Sequence, residues 1–235
     1  MRHRERRQDR LEAEWAPRFE RWQQEFSEAV DRAIASGLLP PNPNYRQRVA
    51  DVRFILLDPI VGGNRGGRVY DSGIISINVD RMDEEATKLT VFHELSHQIS
   101  GTMIQQVVTE QGTPGSAHAR RKTGLEFQSR HDGRKQGTWL NEALTELLAR
   151  RLAGTEETSS YLHEQAVVLS LVEGGAVPMS LFYRAYCESP DTPANRRSGL
   201  PAYRELNRAM TKALGPGWLR RVDDFVKQQY EAERM

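Results

Sequence analysis

The segment DEEATKLTVFHELSHQIS, residues 83–100, leaves its backbone few choices. Wound as a helix at about 100° per residue, it sets His93 and His97 roughly 40° apart on one face and sends Val91, Phe92, Leu95 and Ile99 to the opposite arc. The spacing predicts a helix over Asp83–Ser100 whose apolar face packs inward and whose imidazoles share a separate face. Two imidazoles one turn apart can both reach a single metal ion, and Glu94, beside them, can touch a water on that ion without competing as a ligand. Solvated histidines on a polar helix would spell the same five letters, so the reading needs a further ligand from elsewhere.

A catalytic zinc draws on three protein ligands and keeps one position open for water. His93 and His97 leave such a site one ligand short. The segment Asn141-Glu142-Ala143-Leu144-Thr145-Glu146 begins a second helical stretch, and Glu142 lies 45 residues past His97. On that helix Glu142 and Glu146 share a face, while Leu144, Leu147 and Leu148 point away. One of the two acids can bind metal, and the other can accept a hydrogen bond from the outer N–H of a ligand histidine, which holds that ring in orientation.

HELSH followed by NEALTE resembles the gluzincin metallopeptidases, including their thermolysin-like and small single-domain members. The runs Ser160–Glu164 and Leu181–Tyr186 are similar to compact bacterial HExxH proteins, so the likeness extends over about Gly73–Cys187, leaving 101–138 unaccounted for. The resemblance implies an α+β, zincin-like domain: a small mixed sheet, an HExxH helix, and a mainly helical C-terminal part. It also implies one zinc per chain held by His93, His97 and Glu142, with Glu94 as general base. Glu146 would support a ligand histidine, and Asn141 would help order the ligands. Such a site hydrolyses peptide bonds, and its oxyanion needs a donor beyond the metal. Tyr161 is the first candidate for that donor, with His163, His131 and Tyr203 as alternatives. Nothing resembles the N-terminal amine anchor of aminopeptidase relatives, which favours an endopeptidase acting on a peptide or protein substrate. A metzincin would need Gly at 100 and His or Asp at 103, where this chain has Ser100 and Met103. The HExxH regulators of immunity and of the DNA-damage response carry a different acid-containing helix, and NEALTE argues against them. A closed structural zinc would draw on cysteines, and the one cysteine, Cys187, lies far downstream.

Around these segments the chain organises simply. Leu11, Trp15, Phe19, Trp22, Phe26, Val30 and Ile34 mark an amphipathic helix from Gln8 to about Ser36, closed by Gly37 and the Pro40, Pro41, Pro43 cluster. We expect an N-terminal helix over 1–39 and the metallopeptidase domain over 40–235. The helix packs on the main domain or offers a docking or inhibitory face, and the second choice supports an alternative function, a metal-containing regulatory or interaction protein that cuts one partner or none. Val52–Leu57, Arg68–Tyr70 and Gly73–Val79 read as strands. The last would border the cleft as an unpaired edge able to pair with extended substrate. Gly62, Gly63, Gly66 and Gly67 match no phosphate-cradling motif and read as turns. Residues 101–138 read as a polar insertion loop whose basic residues Arg120, Arg121, Lys122, Arg130, Arg134 and Lys135 are solvated. Further helices are expected over Leu140–Ala153, Ser160–Glu173, Ser180–Glu188, Ala202–Leu214 and Trp218–Glu231.

Composition narrows the partners. With 33 Lys+Arg against 32 Asp+Glu over 235 residues there is no basic excess to hold nucleic acid or an anionic membrane. No run of about 18 apolar residues occurs. The charged start MRHRERRQDR lacks the apolar core of a secretory signal, and a lone, buried, inert Cys187 suits a reducing compartment, so the expected location is cytoplasmic.

Overall fold

The computed structural model describes residues 2–42, 44–57, 66–69, 73–108, 117–129, 132–155, 160–189 and 200–232, and every structural statement here concerns those residues. The chain mixes helix and strand, in the order α1 (Arg2–Ala35), α2 (Tyr45–Ala50), β1 (Arg53–Leu56), β2 (Gly67–Val69), β3 (Ile74–Ile77), α3 (Glu84–Ile99), β4 (Thr102–Val108), β5 (Ala117–Thr123), β6 (Glu126–Ser129), β7 (Lys135–Gln136), α4 (Thr138–Ala153), α5 (Leu162–Glu173), α6 (Met179–Cys187), α7 (Pro201–Leu214) and α8 (Trp218–Ala232). It divides into two compact units: Met1–Gly37, Pro41–Ile99 and Leu148–Glu157 form the first, and Leu38–Pro40, Ser100–Leu147 and Thr158–Met235 the second. Among the described residues no helix is long and apolar enough to cross a membrane.

In the first unit the aromatic stripe of α1 is core. Phe19, Trp22, Phe26 and Val30 are buried. Phe19 stacks on Phe54 of β1 with ring centroids 4.9 Å apart, and Phe26 meets Phe92 of α3 edge-on at 5.3 Å. Each such ring contributes about 1.5–3 kcal/mol by leaving water. The helix therefore belongs with the sheet and α3, and the expected boundary at 39 does not coincide with the division into units. The sheet runs β1-β3-β2, with β1 parallel and β2 antiparallel to β3. The expectation of an unpaired strand over Gly73–Val79 is thus corrected. β3 is the central strand, with Ile75 and Ile77 fully buried, and β1 and β2 are the edges. Phe54 and Gly67 sit opposite Ile75 and Ile77 in register, so these four share one face. Phe19 lies on Phe54, and Gly67 faces Glu94 of α3, so α1 and α3 cover that face. Asp83 starts α3 by accepting the Ala86 N–H on its carboxylate at 2.8 Å.

In the second unit the expected loop over 101–138 is instead a four-stranded antiparallel meander, β4-β5-β6-β7. Strand alternation turns the neighbours Arg121 and Lys122 to opposite faces. Lys122 pairs with Met103 and Phe127, and its face turns inward: the Phe127 ring meets Tyr203 of α7 at 5.0 Å, and Lys122 is itself buried. Its ammonium donates to the Ala185 and Glu188 carbonyls at the C-terminus of α6, at 3.2 and 3.5 Å. There the cation meets the negative end of a helix. Lys135 pairs with Glu126 at 2.9 Å and Arg134 with Asp132 at 3.4 Å. Arg130 lies outside the described residues. The Glu188 carboxylate accepts the first N–H groups of α7, from Ala202 and Tyr203, both at 2.9 Å. α8 closes the unit. Trp218 packs edge-on against Trp139, Asp223 accepts the Gly137 N–H at 3.0 Å just before α4, and the Tyr230 hydroxyl donates to Glu164 at 2.7 Å.

Candidate metal centre

α3 presents His93 and His97 one turn apart with ring centroids 5.0 Å from each other. His93 and Glu94 are both 7% exposed and His97 is half-buried, so the polar face of this helix is turned into the protein rather than left in solvent. Within the helix, Thr90 and Ser96 donate to the carbonyls of Ala86 and Phe92, at 2.9 and 2.8 Å.

Glu94 is hemmed in by β2. A Cβ built on Gly67 would lie 2.7 Å from the Glu94 Oε1 and 2.9 Å from the Thr90 Cγ2. The edge strand therefore runs directly against the carboxylate, which only a residue without a side chain permits. The glycine at this position, read from sequence as a turn residue, is a strand residue that shapes the surroundings of Glu94.

Glu142 lies on α4, half-buried, between two anchoring side chains. Asn141 accepts the Leu125 N–H on Oδ1 at 3.0 Å, fixing the first turn of α4 to the β5–β6 turn. Gly124, at φ +56°, makes that turn possible, since a Cβ there would meet the Asn141 Oδ1 at 2.1 Å and the Tyr186 ring at 2.7 Å. Thr145 donates to the Asn141 carbonyl at 2.7 Å and lies 2.8 Å from the Tyr186 hydroxyl. Glu146, one turn past Glu142, is buried.

His93, His97 and Glu142 each offer one ligand atom, and these atoms all lie within 4.8 Å of one another. Zinc held at about 2.0–2.1 Å by such ligands in a tetrahedron sets neighbouring donors about 3.4 Å apart, so each donor needs to close by less than about 1 Å. Two imidazole nitrogens and a carboxylate oxygen are the donor set that a hydrolytic zinc uses, and the residues fit the ion.

The remaining candidates fare unevenly. Tyr161 precedes α5 with φ +57°, the one non-glycine residue at positive φ among the described residues, and its carbonyl accepts the Gln165 N–H at 2.9 Å. Such a conformation costs of order 1 kcal/mol and is found at sites that need it. His163 is packed edge-on against Tyr230 at 5.2 Å, and Tyr203 against Phe127, so both serve the helical packing. His131 lies outside the described residues. Cys187 is buried, and burial pushes its thiol up to about 12, which leaves it an inert core residue. Gly67, Thr145 and Tyr186 carry no signal as site residues in the sequence. The run Leu181–Tyr186 enters the resemblance as a whole, which gives Tyr186 no role of its own. No protein-family model, curated protein or solved structure matches the chain.

Proposed function

We propose that this chain is a zinc-dependent peptidase with a zincin-like arrangement resembling the gluzincins. His93, His97 and Glu142 would hold the ion, and Glu146 would steady a ligand histidine. The observation that carries the reading is the approach of those three donors to within 4.8 Å of one another, the same three residues that the resemblance to gluzincins implies as ligands. When bound, zinc supplies Lewis acidity that activates water and polarises the scissile carbonyl. The same donors also suit ferrous iron. A buried carboxylate next to the histidine pair, with no further role in ligation, is what hydrolysis requires and favours zinc. Glu94 takes a proton from the attacking water onto its carboxylate and returns it to the leaving amine nitrogen as the C–N bond breaks, which closes the proton balance. Tyr161 stands first among donors to the developing oxyanion, because His163 and Tyr203 are engaged in packing. The regulatory alternative drew its support from Trp15 and Trp22 of the α1 stripe, of which Trp22 is buried and Trp15 half-buried.

The test is metal analysis of the full chain together with digestion of an unfolded protein. One zinc per chain and chelator-sensitive cleavage are expected. Glu94→Gln should keep the metal while turnover falls by about 10²–10⁴-fold, the range that a positioned general base contributes. A well-folded chain that takes up no zinc sinks the reading, and undiminished turnover in Glu94→Gln removes Glu94 from its role.

A further inference from the structure

Tyr186 is wholly buried on α6, far in sequence from every residue of the centre, and it is hydrogen-bonded to both Ser100 and Thr145. Thr145 has one hydroxyl proton and gives it to the Asn141 carbonyl at 2.7 Å. The Tyr186 O–H must therefore donate to Thr145 across their 2.8 Å contact, which leaves the phenol oxygen to accept from Ser100. The result is a one-way chain of donors, Ser100 to Tyr186 to Thr145 to the Asn141 carbonyl, in which each bond polarises the next. Its two ends are informative. Asn141 and Thr145 flank Glu142 on α4, and Ser100 follows the last residue of α3, three positions past His97. Gly124 lets the Tyr186 ring close against the turn that Asn141 also grips.

We propose that Tyr186 is a positioning residue for the metal centre, a buried hydroxyl bridge that sets the turn of α4 bearing Glu142 against the chain leaving α3. This deepens the peptidase reading and rests on it. Burial, chiefly, holds the phenol well above its ordinary titration range, and the nearby Glu142 carboxylate pushes the same way, so the bridge stays protonated at neutral pH. The ring fills its cavity whether or not the oxygen is present, so Tyr186→Phe removes the bridge and little else.

The experiment titrates cobalt(II) into the metal-free full-length wild type and Tyr186→Phe, reads the visible spectrum, and obtains zinc affinity by competition. Loss of a group that orients ligands weakens metal binding by about 10–100-fold, and Tyr186→Phe should fall in that range with an altered cobalt spectrum. Ser100→Ala cuts the chain at its other end with the ring untouched, should shift affinity in the same direction, and carries the test if Tyr186→Phe does not fold. Tyr230→Phe, which removes a hydroxyl bond to Glu164 elsewhere in the same unit, controls for a general loss of packing and should leave the spectrum and affinity of wild type. Wild-type affinity and spectrum in both Tyr186→Phe and Ser100→Ala overturn the bridge alone. An equal weakening in Tyr230→Phe also overturns it, because the effect would then be general. Absence of metal uptake by the wild type overturns the peptidase reading and this inference together.

Discussion

Gly67→Ala tests the surroundings of Glu94, the proposed general base, with a single methyl group. The added Cβ would sit 2.7 Å from the Glu94 Oε1, 2.9 Å from the Thr90 Cγ2 and 3.0 Å from the Glu94 Cγ. Ordinary contact begins near 3.4 Å, so relief demands a movement of about 0.7 Å. Thr90 is bonded back to its own helix and β2 is registered on buried Ile77, so the carboxylate is the softest of the three. A displacement approaching 1 Å at a reacting group can cost about 10²-fold in rate. That corresponds to about 2.7 kcal/mol of transition-state stabilisation. Zinc content should be unaffected, because the three atoms nearest the new methyl group belong to Glu94 and Thr90, which are not ligands in this reading. The assay is kcat/KM on a peptide substrate beside metal analysis of the same preparation. Gly66→Ala provides the contrast: its Cβ would meet the flexible Met82 Sδ at 3.3 Å and should change turnover little. A Gly67→Ala chain that is folded, metal-loaded and as active as wild type would refute the placement of β2 against Glu94.

Two further outcomes concern stability. Burial lowers Lys122 from 10.5 to about 8, against the smaller raising influence of Glu188 and Cys187, so between those values the unfolded chain binds a proton that the folded one has released. Stability should then rise with pH from about 8, by at most roughly 3 kcal/mol in total. Cys187, raised from 9.0 to about 12, opposes this only above pH 9, so the window from 8 to 9 isolates the lysine. Denaturant midpoints across that window should climb in wild type and be flat in Lys122→Met, and equal slopes would disprove the assignment. Deleting residues 1–37 should unfold the chain, seen as loss of a cooperative thermal transition, because Phe19, Trp22 and Phe26 are core. A folded and more active truncated chain would instead make α1 inhibitory.

The helices were legible because their apolar residues recur on one face and their ends carry Asp, Gly or Pro. α3, α4, α6, α7 and α8 all end within two residues of the limits that periodicity suggests. The meander β4–β7 was not legible, for a physical reason. TMIQQVV and AHARRKT carry polar or charged residues on both faces, so period two leaves no hydrophobic trace, and the burial of Lys122 depends on carbonyls at the end of α6, sixty-three residues away at the nearer one.

At the candidate centre the same distinction applies. Helical spacing paired His93 with His97 and Glu142 with Glu146, only the resemblance chose between the two acids, and the ligand atoms of His93, His97 and Glu142 lie within 4.8 Å of one another. What surrounds them follows no local rule. Gly67 matters only because a strand passes a carboxylate, and Tyr186 only because its oxygen falls between two hydroxyls that stand 45 residues apart in the chain. Residues that touch an ion announce themselves by chemistry, whereas residues that aim those ligands are set by packing, where many side chains could serve. Substitutions around Gly67 and Tyr186 should consequently alter how well the centre works while leaving every ligand in place, which is the behaviour that separates an assembled site from three donors that happen to be near one another.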